Sequence, residues 1–104
     1  MRLRVEVAPE AQEQLERLDR WWRQNRPAAP TLVVDELERL VGMIAETPEI
    51  GVPYAQGGLM NVRRLRLRRT PYLLYYHYVS GNDVARIVSA WSAMRKRRPS
   101  IKAP

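Results

Sequence analysis

Hydrophobic residues recur along the first half of the chain with two different periods, and each period predicts one kind of element. Residues 2–7 alternate apolar and charged side chains, which is typical of a half-buried strand. Two further segments repeat apolar residues at helical spacing; the first opens at Pro9 and ends before Pro27, and the second lies between residues 28 and 45. Their apolar stripes predict two antiparallel helices that pack through facing surfaces. The stripe residues are Ala11, Leu15, Leu18 and Trp22 in the first helix and Val33, Leu37, Leu40 and Ile44 in the second.

The second half of the chain predicts three antiparallel strands. Residues 48–61 are rich in glycine and proline and predict a loop. Strands are expected at residues 62–69, 72–79 and 84–91, the last two joined by a hairpin turn. The order β-α-α-β-β-β predicts an α+β domain, in which an N-terminal strand, an αα-hairpin and a three-stranded antiparallel meander place both helices on one sheet face. We expect residues 1–95 to form this single domain and residues 96–104 to form a basic C-terminal tail.

Charge is divided unevenly between the two halves of the chain. Residues 1–61 contain 7 basic and 10 acidic residues, whereas residues 62–104 contain 11 basic residues and the single acid Asp83. Of the 18 basic residues, 16 are arginine, whose planar guanidinium binds phosphate or carboxylate through two hydrogen bonds. The basic half therefore predicts a nucleic acid or an acidic protein as partner. The alternative is a solvated basic surface that has no dedicated partner.

The composition also excludes several kinds of site. The 104 residues include no cysteine and one histidine, which excludes disulfides and thiol nucleophiles and argues against a metal centre. The chain contains no catalytic triad and no glycine-rich phosphate loop, so we expect no metal and no cofactor. No run of about 18 apolar residues is present, and charges interrupt the stretch where a signal peptide needs an apolar segment. We therefore expect a cytoplasmic protein that does not bind membranes.

The first strand of the meander carries a ladder of candidate binding residues. Alternation places Arg64, Arg66 and Arg68 on the face opposite Leu65 and Leu67, so the arginines are expected on the open face of the sheet. Like charges two residues apart on a strand destabilise it unless an anion or a partner compensates them. This cost favours a binding role, either for an RNA backbone or for an acidic protein segment.

The next strand places Tyr72, Tyr76 and Tyr78 on one face. Tyrosines beside arginines can stack the bases of single-stranded nucleic acid. The alternative is that they pack half-buried in the sheet, where tyrosine is common.

Basic residues after the last strand are further candidates for contacts with a nucleic acid or an acidic partner. Arg95 follows Trp91 by four residues and is expected to fold back over the sheet. Arg97 and Arg98 lie in the basic tail, and the alternative for them is a solvated chain end. Trp91 joins the candidates as an apolar contact at the end of the strand.

Several short signatures follow one another along nearly the whole chain, from about residue 2 to residue 99. They are Ala8-Pro9-Glu10-Ala11 with Leu15, Leu18 and Trp22; Ala28-Ala29; Pro48 with Gly51; Val62-Arg63-Arg64-Leu65; Pro71-Tyr72-Leu73-Leu74-Tyr75-Tyr76; and Trp91 with Arg95 and Pro99. In order and spacing they resemble the RelE/ParE superfamily of bacterial type II toxin–antitoxin toxins. The resemblance implies a growth-arresting toxin in a hetero-oligomer with a cognate antitoxin, which lays an acidic, partly helical segment over the sheet and helices. We expect antitoxin anchors near Trp21 or Trp91.

The resemblance leaves two kinds of target open. RelE-like members cut mRNA on the ribosome, which needs a base to activate the 2′-OH and cations to stabilise the pentavalent phosphate. ParE-like members instead poison DNA gyrase and carry no ribonuclease site. Arg68 and Arg95 match arginines of the superfamily pattern. If this chain is a ribonuclease, the resemblance makes these two residues and Tyr76 the candidate catalytic set.

Departures from the RelE-type pattern favour the ParE-like branch. Ser92 stands where many relatives carry a histidine, and Ala93 and Met94 stand where RelE-type enzymes often carry catalytic polar groups. Serine and methionine cannot supply a proton near neutral pH. We therefore expect inhibition of DNA gyrase without enzyme activity. The alternatives are mRNA cleavage and a non-toxic nucleic-acid-binding accessory protein.

Overall fold

Two amphipathic helices, α1 (Pro9–Asn25) and α2 (Leu32–Glu46), form the hairpin that the apolar stripes predict. The computed structural model describes residues 2–55, 58–95, 99 and 101. Pro9 occupies the first turn of α1, where its fixed φ suits the helix and its missing N–H costs nothing. The indole N–H of Trp22 donates to the carbonyl oxygen of Ala29 at 2.7 Å and ties the end of α1 to the connection between the helices.

Five strands form one sheet in the order β1-β5-β4-β3-β2. β1 (Arg4–Val7) pairs in parallel with β5 (Val84–Ser92), so the first and last strands are neighbours. β5 pairs antiparallel with β4 (Tyr72–His77), and β4 pairs antiparallel with β3 (Val62–Arg66). These pairings confirm the predicted α+β architecture and its three-stranded meander.

The sheet contains one strand that the sequence did not predict. Residues 48–61 were expected to form only a loop, but β2 (Val52–Pro53) pairs antiparallel with β3. The guanidinium of Arg63 donates to the carbonyl oxygens of Glu49 and Gly51 at 2.9 and 2.7 Å, which holds the loop against the sheet. The extra strand therefore depends on partners in β3, ten or more residues further along the chain.

The two faces of the sheet are covered differently. The face toward the helices packs into the main core with the apolar stripes of α1 and α2. The opposite face carries a smaller group of buried side chains, which we call the second-face cluster: Tyr54, Val62, Tyr75 and Val88. Leu59 and Ile101 pack against this cluster, so the loop before β3 and a residue from the C-terminal segment cover part of the face that was expected to be open.

The turn between β3 and β4 begins earlier than expected. The predicted strand of residues 62–69 ends at Arg66. The backbone N–H of Leu67 donates to the carbonyl oxygen of Tyr72 at 3.0 Å and closes the turn, while the Leu67 side chain is buried in the main core. Neither helix in the described part of the chain is long and apolar enough to cross a membrane.

Candidate functional site

A groove of about 530 Å³ lies between α1 and the end of the sheet formed by the start of β4 and the end of β5. We call it the α1 groove. Its two most exposed apolar side chains are Trp21, with 49% of its surface exposed, and Met94, with 77% exposed. Large apolar side chains exposed beside one another are typical of a binding surface. The residues that line the groove are Gln14, Arg17, Leu18, Trp21, Pro71, Tyr72, Ala90, Trp91, Ser92, Met94 and Arg95.

The charge of the α1 groove comes from arginine. Among the described residues of its wall, those that carry charge are Arg17 and Arg95. The guanidinium of Arg95 lies 4.4 Å from the centre of the Trp91 ring, so Arg95 packs on the end of β5. A surface with apolar walls and guanidinium groups at its rim can hold a bulky apolar side chain that is flanked by carboxylates.

Two arginines of the predicted ladder lie where alternation places them. Arg64 and Arg66 are exposed, on the face that carries Val62 of the second-face cluster, whereas Leu65 packs against the main core. The Arg64 guanidinium lies 5.9 Å from the centre of the Tyr54 ring. These two arginines are available to an anionic partner.

Arg68 does not extend that ladder, because β3 ends before it. Arg68 is exposed in the turn, and its charge acts on the carboxylate of Glu36 in α2. Glu36 is buried and accepts hydrogen bonds from the backbone N–H of Arg69 at 2.8 Å and from the guanidinium of Arg39 at 3.0 Å. Burial opposes ionisation, but these bonds and the charges of Arg39 and Arg68 hold the pKa of Glu36 below its ordinary value.

The tyrosines do not form an exposed stacking surface. The sequence has five tyrosines, and the structure buries all of them. Tyr72, Tyr76 and Tyr78 share one face as predicted, but that face packs into the main core beneath the helices. The proposed base-stacking role is therefore replaced by a packing role, the alternative raised by the sequence.

Tyr76 is a core residue with both hydrogen-bonding functions in use. Its hydroxyl donates to the carbonyl oxygen of Pro48 at 2.7 Å and accepts from the backbone N–H of Gly51 at 2.9 Å. Burial raises the pKa of Tyr76 above its ordinary value. A fully buried hydroxyl that holds a loop and resists ionisation is poorly placed to take a proton from a substrate.

The three candidate catalytic residues lie in separate surroundings. Arg68 lies in the turn beside Glu36, Tyr76 holds the loop that precedes β2, and Arg95 covers Trp91. Arg97 and Arg98 lie outside the described residues. The sequence reasoning missed Glu36 as a determinant of the site. The sequence feature that could have identified Glu36 is its position on the same apolar face of α2 as Val33 and Leu40, because a carboxylate buried there needs a partner.

The fold is similar to that of solved ParE and RelE toxins. A chain of the chromosomal ParDE TA system from P. aeruginosa is 14% identical, covering 86% of this chain and 95% of that chain with a TM-score of 0.68. A chain of the RelBE2 toxin–antitoxin complex from Mycobacterium tuberculosis is 18% identical, covering 88% and 99% with a TM-score of 0.65. The isolated RelE toxin of E. coli is also 18% identical, covering 90% and 87% with a TM-score of 0.59.

A match of the sequence to a family model shows which family the chain belongs to. The family model of the ParE toxin of the type II toxin–antitoxin system parDE matches residues 5–97, and this chain belongs to that family. No curated protein matches the sequence. The chain is therefore a toxin of a type II toxin–antitoxin system.

Proposed function

We propose that this toxin arrests growth by binding and inhibiting DNA gyrase in the cytoplasm, without cutting RNA. The observation that carries the proposal is the burial of Tyr76 together with its two backbone hydrogen bonds. RNA cleavage by the 2′-OH needs a base within hydrogen-bond reach of that group. The strongest tyrosine candidate for such a base is committed to the core.

The position at which many relatives carry a histidine supports the same proposal. Ser92 occupies it, and the Ser92 hydroxyl accepts a hydrogen bond from the backbone N–H of Met94 at 3.2 Å. This contact stabilises the turn after β5, so Ser92 has a local structural role. The match to the ParE family over residues 5–97 agrees with a target other than mRNA.

Inhibition of gyrase is tested by a supercoiling assay with relaxed plasmid, ATP and increasing amounts of purified toxin. We expect supercoiling to stop at a toxin concentration comparable to that of gyrase, and to resume when the cognate antitoxin is added first. Primer extension on an mRNA translated in a cell-free extract is the parallel measurement, and we expect intact mRNA. Normal supercoiling with excess toxin, or toxin-dependent breaks at ribosome-occupied codons, would reject the proposal.

We propose that a cognate antitoxin binds the α1 groove. Structures similar in fold include toxin–antitoxin complexes from M. tuberculosis and E. coli. The exposed Trp21 and Met94 supply apolar contact area, and Arg17 and Arg95 supply charge that attracts an acidic segment. Together these features support a toxin–antitoxin hetero-oligomer in which an apolar anchor of the antitoxin fills the groove.

The groove is tested by titrating cognate antitoxin onto toxin variants. We expect Trp21→Ala to weaken binding by about 2 kcal/mol, roughly thirtyfold in Kd, because central aromatic residues dominate such interfaces. Met60→Ala is the matched control, because Met60 is 75% exposed and belongs to a different part of the surface. Equal affinity of Trp21→Ala and Met60→Ala for the antitoxin would show that the antitoxin binds outside the α1 groove.

A further inference from the structure

Among the described residues outside the α1 groove, the densest group of basic side chains lies at the end of β3 and in the turn that follows it. Arg66, Arg68 and Arg69 are all exposed there, within a segment that has five arginines in residues 63–69 and no acid. We call residues 66–69 the arginine turn. Three positive side chains within four consecutive residues repel one another, so the fold has to hold their backbone in place.

The arginine turn is fastened at three points. The side chain of Leu67 is buried in the main core, and its backbone N–H donates to the carbonyl oxygen of Tyr72 at 3.0 Å. The backbone N–H of Arg69 donates to a carboxylate oxygen of Glu36 at 2.8 Å. The following residue, Thr70, is also buried. The arginines therefore project from a backbone whose position is set before any ligand arrives.

Glu36 has a particular place in this arrangement. One of its carboxylate oxygens holds the Arg69 backbone, while the other accepts from Arg39 at 3.0 Å. A buried carboxylate beneath a cationic turn offsets part of the repulsion between the guanidinium groups. It also leaves those groups free for an external anion, because its own hydrogen bonds go to Arg39 and to the backbone.

The surroundings of the turn indicate which anion fits. Guanidinium groups bind phosphates through paired hydrogen bonds. Binding of single strands additionally uses exposed rings on which bases stack. Here the neighbouring rings of Tyr72 and Tyr75 are buried, and the ring of Trp91 lies under the guanidinium of Arg95. A ligand that fits this turn is therefore one bound through its phosphate backbone with its bases left stacked, as in a duplex.

We propose that Arg66, Arg68 and Arg69 bind the phosphate backbone of duplex DNA and that Glu36 is the positioning residue that holds their turn. This extends the proposed function and rests on it, because the DNA held by gyrase is the duplex that the toxin meets. The toxin then contacts the enzyme and its DNA at once. Such binding carries no base specificity and depends on salt.

The experiment measures fluorescence anisotropy of a labelled duplex with purified toxin over a range of salt concentrations. The triple variant Arg66→Ala/Arg68→Ala/Arg69→Ala is expected to reduce the slope of log K against log salt by about 2–3, close to 0.9 for each phosphate that the variant no longer neutralises. The matched control replaces three exposed arginines elsewhere and removes the same charge. Its residues are Arg2, Arg4 and Arg20.

The control triple is expected to change the slope by less than about 1, because its arginines contact no phosphate. Equal slopes for the two triples would overturn the proposal. A single strand of the same sequence and a poly-glutamate peptide serve as competing ligands. Tighter binding of either one than of the duplex, abolished in the turn triple, would also overturn the proposal and assign the turn to single-stranded nucleic acid or to an acidic protein.

Glu36→Gln tests the positioning role through the sign of its effect. The substitution removes a negative charge beside the arginines, so an effect of charge alone would strengthen duplex binding. Glutamine keeps one acceptor oxygen but turns an NH₂ donor toward the guanidinium of Arg39, so the paired contacts that fix the turn are lost and we expect a several-fold weaker affinity below the unfolding temperature of the variant. Tighter binding by Glu36→Gln would remove the positioning role. Since Glu36 is buried, the triple variant of exposed residues keeps the DNA contact testable if Glu36→Gln fails to fold.

The supercoiling assay separates this proposal from the proposed function. If the turn triple still inhibits gyrase fully and binds duplex like the control triple, the DNA contact is rejected while gyrase inhibition stands. If wild-type toxin binds duplex through the turn but leaves supercoiling unchanged, the DNA contact stands and gyrase is rejected as the target.

Discussion

Replacing Tyr76 by phenylalanine removes one oxygen atom and tests whether this residue is structural. The ring remains in the main core, so the packing of the core is preserved. The change deletes the hydroxyl that donates to the carbonyl oxygen of Pro48 and accepts from the backbone N–H of Gly51. Both partners belong to the loop that leads into β2, and Gly51 is itself buried.

The expected cost follows from those two bonds. A buried hydrogen bond contributes about 1 kcal/mol net, and a buried group left without a partner costs about 1–3 kcal/mol. The N–H of Gly51 loses its partner in a buried position, whereas the half-buried carbonyl of Pro48 is closer to water. We therefore expect Tyr76→Phe to lower the free energy of unfolding by about 3 kcal/mol. For a domain of this size that lowers Tm by roughly 12–24 °C.

Thermal and urea unfolding followed by circular dichroism measure this loss. Tyr78→Phe is the matched control, because Tyr78 lies on the same face and its hydroxyl accepts only a longer bond, 3.3 Å, from the N–H of Gly81. We expect the control to cost less than about 1 kcal/mol. Equal stability of Tyr76→Phe and wild type would refute the assignment of Tyr76 to a structural role. Unchanged stability with loss of toxicity would return it to the candidate catalytic residues.

Three further predictions follow from buried contacts. Gly51→Ala places a Cβ 2.8 Å from the ring and hydroxyl of Tyr76, so we expect about 1–3 kcal/mol of destabilisation by urea unfolding; an unchanged urea midpoint would contradict the close approach. Gln14 accepts from the backbone N–H of Ala90 at 2.9 Å, and Gln14→Ala is expected to cost about 1–2 kcal/mol in the same assay, whereas no loss would show that water replaces the amide. Because the pKa of Glu36 is lowered from 4.5, its ionisation stabilises the fold above that pH and the contribution is lost as pH falls through the lowered pKa. The urea midpoint of wild type is therefore expected to fall more between pH 6 and pH 3 than that of Glu36→Gln, and parallel curves would exclude this linkage.

Much of the fold could be predicted because alternation in a strand is a local property. Leu65 and Arg64 lie on opposite faces of β3 as their spacing requires, and the stripes of α1 and α2 pack as their period requires. The strand β2 could not be predicted in this way. A strand of two residues is too short to show alternation, and this segment is held by hydrogen bonds that the side chains of Arg63 and Tyr76, later in the chain, donate to Gly51 and Pro48.

The candidate site was harder to predict, because a period assigns a residue to a face without showing what covers that face. Tyr76 was placed on the correct face, but the helices bury it. Arg68 was extrapolated from a strand that ends at Arg66, because the bond from Leu67 to Tyr72 that closes the turn is not visible in the alternation. Glu36 acquires its role from Arg69, 33 residues away.

The parallel pairing of β1 with β5 has a consequence for how the toxin is made. Arg4 lies beside Val84, so the first strand waits for about 80 further residues before its partner exists. Closing so long a loop is slow and entropically costly. At about 5–20 residues per second, synthesis of that stretch takes several seconds. The sheet is thus completed only once β5 has been made, and until then β1 has no neighbouring strand.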